Sequence, residues 1–368
     1  MSKSLLEELT ALINASHRNA WIRFDRVRGQ AVNYGLIDAS VAKWKTPGEP
    51  AFVSSLLEYP MVTNGLLGVI ERHLKPLGLC SATPLVSGVF IHQKPKIRFT
   101  TKRSEIELGD LLLVRQHFRS AVAEPEGKAF LIQAKSAAKP ETGSLRGKEA
   151  LQHKLYSNWT TPFTFPYNEI GPPPDGSTHW NFGLGPTHHS GSGAYGIVSN
   201  SERVTGFPDE CAWAIGAASS VPIGVKPSVE APFSLAEIME KFLLGQWGRT
   251  WEATPAMSDH WSSFIVRCLE ASVDWKPYPV QRLGSMLPRR RDVVHLLLGS
   301  GWTPRGPRYR NQAQDLLDAW KQSLGSDGQG EEPPSADVEW RFRPPSVGMS
   351  VLYVATYGDG TLSEQVPD

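Results

Sequence analysis

The chain has 368 residues, enough at roughly 150 per domain for two or more compact units with a buried core. Apolar residues make up 40% and charged residues 20%, which excludes a wholly disordered polymer and a coiled coil. The 38 Lys and Arg against 37 Asp and Glu leave a net charge of +1, so attraction to nucleic acid must come from local patches and not from the net field.

Leu5, Leu6, Leu9, Leu12 and Ile13 recur at helical spacing behind Ser4, a candidate N-cap, and predict a helix over residues 3–16. Mixed, turn-rich residues 17–50 complete an N-terminal helical segment, residues 1–50. Ser55-Leu-Leu-Glu58 has capping-box form, and Leu66, Leu67, Val69, Ile70 and Leu74 follow it, so one broken helix or two short ones fill 54–75. Apolar β-type runs come next, Leu85–His92, Lys96–Thr100, Glu107–Val114 and Ala129–Ala134, separated by turn residues. Leu151, Leu155 and Trp159 then repeat every four residues and place a helix over Leu145–Trp159. The middle of the chain therefore reads αβββα.

Residues 168–230 carry GPPPDG, GLGP and HHSGSG around two short apolar runs, Ala194–Val198 and Ala212–Ala217, and read as a Gly/Pro-rich insertion with one or two strands. Helices are expected at Ser234–Leu244, Trp261–Ser272, Arg291–Leu298 and Gln312–Leu324, giving a mostly helical C-terminal region over 231–325. GSDGQGEEPPSA, Gly325–Ala336, is a linker by composition, and Val338–Arg343 with Ser350–Tyr357 reads as a terminal β-hairpin within 326–368. Cys80, Cys211 and Cys268 are odd in number and far apart, which speaks against a disulfide framework or a CxxC zinc site. Glu7 and Glu8 stand where a signal peptide would be apolar, and no stretch reaches the ~18 apolar residues of a membrane span. The expectation is a cytoplasmic protein without membrane association.

The informative window is 105–156. Asp110 opens an apolar strand, while Gln133 and Lys135, two apart at the end of another, project from one face. An adjacent strand would bring a carboxylate, an amide and an ammonium together at a rigid strand end. Oxygen ligands of this kind suit Mg²⁺ (or Mn²⁺), which stabilises charge on a phosphate and acidifies its bound water. The lysine orients that water or stabilises the pentacovalent state, and the backbone carbonyl of Ala134 is a further ligand candidate.

These residues resemble the PD-(D/E)XK, or restriction-endonuclease-like, nuclease superfamily, whose αβββαβ core carries an Asp at the start of the second strand and a (D/E)xK tripeptide on the third. Gly109-Asp110 and Gln133-Ala134-Lys135 match those positions. The Gln in place of the acid is similar to Mrr-type endonucleases and lowers the negative charge of the site. Gln152-His-Lys-Leu-Tyr156 resembles the QxxxY helix of RecB-type nucleases, its Gln and Tyr on one helix face. The resemblance covers about 54–167 within a core of 51–230. It implies an α/β (α+β) fold and a metal-dependent nuclease, with Gln152 and Tyr156 positioning substrate. It also implies a metal-site acid from the helix before the first strand, for which Glu71 is favoured over Glu58. Glu107 is the better supporting acid of the pair Glu105 and Glu107 beside the GD turn. The expected partner is nucleic acid, with DNA favoured, in prokaryotic restriction or anti-phage defence, alongside a second copy of the chain or a defence-system protein. The rival reading is a catalytically inactive nuclease-fold module that binds nucleic acid or a protein.

Other signals are weaker. Asp175, His179, His188 and His189 match no common zinc spacing and read as loop residues. Arg289, Arg290 and Arg291, with Arg305, Arg308 and Arg310 beside Trp302 and Tyr309, form two basic clusters suited to a phosphate backbone.

Overall fold

The computed structural model describes residues 3–34, 45–57, 65–81, 84–89, 95–100, 104–119, 125–138, 143–144, 149–157, 162–166, 170–183, 192–204, 210–218, 228–273, 298–299 and 349–359. The helices are α1 (Leu5–Tyr34), α2 (Glu49–Leu57), α3 (Leu67–Leu74), α4 (Glu149–Ser157), α5 (Leu235–Leu243) and α6 (His260–Val273). The strands that matter for the site are β1 (Leu85–Val89), β2 (Lys96–Phe99), β3 (Glu105–Glu107), β4 (Leu111–Phe118) and β5 (Glu126–Ala137). After them come β6 (Gly143–Ser144), β7 (Phe163–Thr164), β8 (Gly193–Ser199), β9 (Trp213–Ala218), β10 (Ser228–Ser234), β11 (Arg249–Trp251), β12 (Leu298–Gly299) and β13 (Val351–Tyr357).

One large mixed sheet, in the order β12-β1-β13-β4-β5-β8-β9-β10-β6 with β11 added to β5, carries most of these strands. A small antiparallel sheet, β3-β2-β7, stands apart from it. The apolar runs LLLV and FLI are continuous because both faces of the large sheet are covered. Leu111, Leu113, Phe130, Ile132 and Ala134 pack on one side with α1, α2, α3 and α5. Leu112, Val114, Leu131 and Tyr195 pack on the other with α4, α6 and the small sheet. Period-two alternation thus puts Gln133 and Lys135 on the α4 side of β5.

The fold is mixed α/β as expected, with several departures. The first helix does not stop at residue 16 but runs to Tyr34: Ser16, His17, Ala20, Trp21 and Phe24 are buried and carry the inward stripe onward, diluted in sequence by Asn14, Arg18 and Asn19. Ser55 does not cap a helix but lies buried inside α2, which starts at Glu49. The expected strand Glu107–Val114 is cut at Gly109-Asp110, its two halves joining different sheets. The meander is not continuous either. β1 does not pair with β4; the C-terminal strand β13 lies between them, parallel to β4 and antiparallel to β1. The terminal strand is therefore central and not an added edge, because its buried VLYVAT run needs cover on both faces. The supposed insertion supplies β8 and β9, with β8 parallel to β5 after the α4 crossover. Ser234 and Glu237 form the capping box that opens α5. The helices expected at Gln312–Leu324 and over most of Arg291–Leu298, and the strand Val338–Arg343, lie outside the described residues. Among the described residues no helix is long and apolar enough to cross a membrane.

His17 ties α1 to the sheet. It is fully buried, stacked on Phe52 at 5.1 Å, with Nε2 2.9 Å from the Ser199 carbonyl. Burial holds its imidazole below the ordinary histidine range, outweighing the Ser199 carbonyl, which acts the other way. The unfolded chain then takes up a proton that the folded chain resists, so stability is complete above about pH 6.5 and is lost as pH falls below it. The urea midpoint should drop between pH 7.5 and 5.5, and His17→Phe, which keeps the stack on Phe52, should drop less; equal drops would place the acid sensitivity elsewhere.

Candidate functional site

The site is created by a difference in strand length. β5 has 12 residues and β4 has 8, and their pairing runs from His117 opposite Glu126 to Leu111 opposite Ile132. Beyond Ile132, β5 continues with β8 on one edge and, among the described residues, no strand on the other. Residues 134 and 136 direct their backbone groups to that open edge, and buried polar backbone requires partners. The Ala134 amide donates to Asp110 Oδ2 at 2.7 Å, and the Ser136 amide donates to Glu49 Oε1 at 3.2 Å. Ser136 Oγ donates to the same Glu49 oxygen at 3.3 Å. Two carboxylates thus replace the missing strand, and the Ala134 carbonyl points to the same edge as its amide.

Asp110 is fixed at the turn entering β4, its own amide donating to the Ile132 carbonyl at 2.9 Å. The turn needs Gly109: a Cβ there would lie 2.9 Å from Leu131 Cδ1 and 3.0 Å from Tyr156 Oη. Gln152 and Tyr156, one turn apart on α4, hold this turn from behind. Tyr156 Oη donates to the Leu108 carbonyl at 2.9 Å, and Gln152 Nε2 donates to Gln133 Oε1 at 3.0 Å and to the Glu107 carbonyl at 3.3 Å. Gln133 Nε2 in turn donates to Asp110 Oδ2. Gln133 is thereby a clasp between Asp110 and α4, with its nitrogen and not its oxygen toward the carboxylate. Tyr156 belongs to the core, its ring 5.1 Å from Tyr195, so it supports the ELGD turn from within the core. Burial pushes its phenol well above the ordinary tyrosine value.

Charge accumulates at this strand end. Asp110 is pushed up to about 8, first by burial and then by Glu107, with Glu49 adding and Lys135 opposing. Taken as a whole residue, Asp110 is half-buried. Glu107 is likewise raised by burial, with Lys135 and then Lys96 opposing and Glu49 adding. Three carboxylates therefore repel one another around two ammonium groups. Oxygen donors crowded in this way fit a hard divalent cation such as Mg²⁺ or Mn²⁺. Among the described residues no three His, Cys, Asp or Glu side chains are set to ligate one ion; the oxygens that could hold one at this strand end are those of Asp110 and Glu49 with the Ala134 carbonyl.

The helix acid differs from the expected one. Glu71 is exposed on α3 and acts electrically on the Cys80 thiol, while Glu49, at the start of α2, reaches β5. Glu58 lies outside the described residues. The signal for Glu49 was Pro47-Gly48-Glu49-Pro50 ahead of the apolar run AFV, a helix start with Pro in the first turn. Lys96 was also missed; its signal is the alternation K-I-R opposite E-I-E. The arginines Arg289, Arg290, Arg291, Arg305, Arg308 and Arg310, and His188 and His189, lie outside the described residues. Asp175 pairs with His260: its Oδ2 is 3.0 Å from His260 Nε2, and the Asn181 amide donates to His260 Nδ1 at 3.0 Å. That arrangement pins the 170–183 loop to α6.

No protein-family profile, curated protein or solved structure matches the chain.

A carboxyl raised from 3.8 to about 8 carries a stability cost with a definite sign. The folded chain holds its proton more tightly, so stability is full below the unfolded value and is lost as pH rises toward the folded one. Asp110→Asn removes the charge and keeps the shape, so it should be more stable than wild type at pH 8 and equal to it near pH 4, read from urea midpoints. A gap that does not widen with pH would mean that the carboxyl is not crowded. Tyr156→Phe strands the Leu108 carbonyl and should cost about 1–2 kcal/mol in the same measurement, against no change if the hydroxyl is idle.

Proposed function

We propose that the chain is a metal-dependent nuclease that hydrolyses phosphodiester bonds. The observation that carries this reading is the convergence, at the open end of β5, of Asp110, Glu49 and the Ala134 carbonyl with Lys135 projecting beside them. Asp110, Glu49 and the Ala134 carbonyl would hold Mg²⁺ or Mn²⁺, which when bound neutralises charge on a phosphate and acidifies its water. Lys135 orients the attacking water and stabilises the added negative charge. With the cation bound, Gln133 would give up its hydrogen bond to Asp110 and could offer its amide oxygen as a further ligand. Gln152 and Tyr156 keep the ELGD turn in place from behind. DNA is the favoured substrate, the cytoplasm the setting, and restriction or anti-phage defence the context, with a second copy of the chain or a defence protein as partner.

One observation favours a second reading, an inactive module on the same scaffold. Asp110 Oδ2, Gln133 and Gln152 form a closed hydrogen-bonded chain that satisfies itself without an ion. Incubating plasmid, linear duplex, single-stranded DNA and RNA with the full-length protein in Mg²⁺, Mn²⁺ or EDTA separates the two. Metal-dependent cutting should fall about 10²-fold or more in Asp110→Ala and in Lys135→Ala. Gln133→Glu should keep activity, because a carboxylate suits the cation, whereas Gln133→Leu should weaken metal binding. Wild-type cutting by Lys135→Ala would remove the mechanism; nucleic-acid binding without cutting in any metal would establish the inactive module.

A further inference from the structure

We propose that Lys96 is a second phosphate-binding cation of the Asp110 site, so that a bound nucleic-acid strand runs from Lys135 across the outward face of β2 and β3. The inference rests on the nuclease reading and concerns where its substrate lies.

The small sheet has one apolar and one charged face. Ile97, Phe99, Ile106 and Phe163 are buried in the core beneath it, so alternation turns Lys96, Arg98, Glu105 and Glu107 outward. Lys96 stands directly opposite Glu107 in the antiparallel register, a spacing at which side chains interact. Glu107 is three residues before Asp110 in the turn held by α4, so the outward face of β2–β3 is continuous with the carboxylate cluster. Lys135 and Lys96 both act on Glu107. They therefore flank it, one on the large sheet and one on the small.

Charge balance gives this pair a role. With Asp110 ionised, as a bound cation would make it, three carboxylates and two ammonium groups leave the cluster formally negative by one charge before the cation is counted. A divalent cation brings the cluster to plus one, complementary to a single phosphodiester; without Lys96 the loaded site is neutral overall and only the cation and Lys135 draw the phosphate in. Arg98, the next outward cation on β2, differs. Its guanidinium is 2.5 Å from Glu105, at the end of β3 away from the Gly109-Asp110 turn, so it lies farther from the carboxylate cluster. The order of importance is thus Lys96 before Arg98, although Arg98 is the more exposed.

The test is a binding titration of full-length protein with fluorescein-labelled duplex DNA in Ca²⁺ at several NaCl concentrations, with Lys128→Ala as control. Lys128 bonds Thr250 at the opposite end of β5. Lys96→Ala should weaken binding about three- to tenfold at low salt and lower the log–log slope by about 0.9, the value for one phosphate contact on duplex DNA. Lys96→Arg should restore the slope, Arg98→Ala should change it less, and Lys128→Ala should leave it alone. A wild-type slope in Lys96→Ala, with its urea midpoint also at the wild-type value, overturns the proposal and leaves the nuclease reading standing if the wild type still cuts. A wild type that neither binds nor cuts nucleic acid overturns both. A slope lost in Lys96→Ala and not recovered in Lys96→Arg overturns it too, assigning the lysine to support of Glu107.

Discussion

Everything at this site follows from two backbone amides that have no strand to pair with. β5 outruns β4 by several residues, and an amide left unpaired in a crowded interior costs as much as a lost hydrogen bond. Asp110 and Glu49 meet that demand, and in doing so they come within reach of each other, of Glu107 and of Lys135. Charge crowding here is a geometric consequence of how the sheet ends. Gly109 is the one residue that lets the turn approach Leu131 and Tyr156 closely enough for Asp110 to take its place.

Holding three carboxylates together opposes folding, and the surrounding core offsets it. The carboxylates line the mouth of two apolar layers, one under α1, α2, α3 and α5 and the other under α4, α6 and the small sheet. Rigid strands with buried LLLV and FLI runs hold the charged ends in place without their consent, which is how preorganised sites tolerate repulsion. The clasp formed by Gln133 is milder than a fourth carboxylate would be: it donates to Asp110 where an acid would repel it. A glutamine at this position lets the unloaded cluster stay assembled.

Local order was legible in the sequence, and long-range placement was not. The strand ends bearing Asp110, Gln133 and Lys135, and the helix bearing Gln152 and Tyr156, follow from apolar runs, turn residues and four-residue repeats. The pairing of Gln152 with Gln133 follows from the helix crossing over the same sheet. The register of α2 did not, because Ser55 mimics a cap inside a helix whose true start is set by the Pro-Gly-Glu-Pro sequence. Glu49 was hidden for that reason. The small sheet was hidden because one apolar run, Glu107–Val114, serves two sheets, and only tertiary pairing reveals the cut at Gly109. The position of β13 is beyond any local signal, since a buried run of six residues reads the same at a sheet centre or in a hairpin.

That position has a consequence for the site. β13 runs parallel to β4 from Leu112 onward, and the Leu112 amide donates to the Ser350 carbonyl at 2.8 Å, two residues after Asp110. The start of β4 is thus held on one side by β5 and on the other by a strand from the far end of the chain. A parallel central strand joined across more than two hundred residues is a late and entropically costly contact in folding. Until it forms, the first residues of β4 lack one of their two neighbours, and the turn at Gly109-Asp110 is anchored only by β5 and α4. The turn that bears Asp110 therefore draws support from both neighbours of β4, and the carboxylate cluster depends on the closed sheet and the core beneath it.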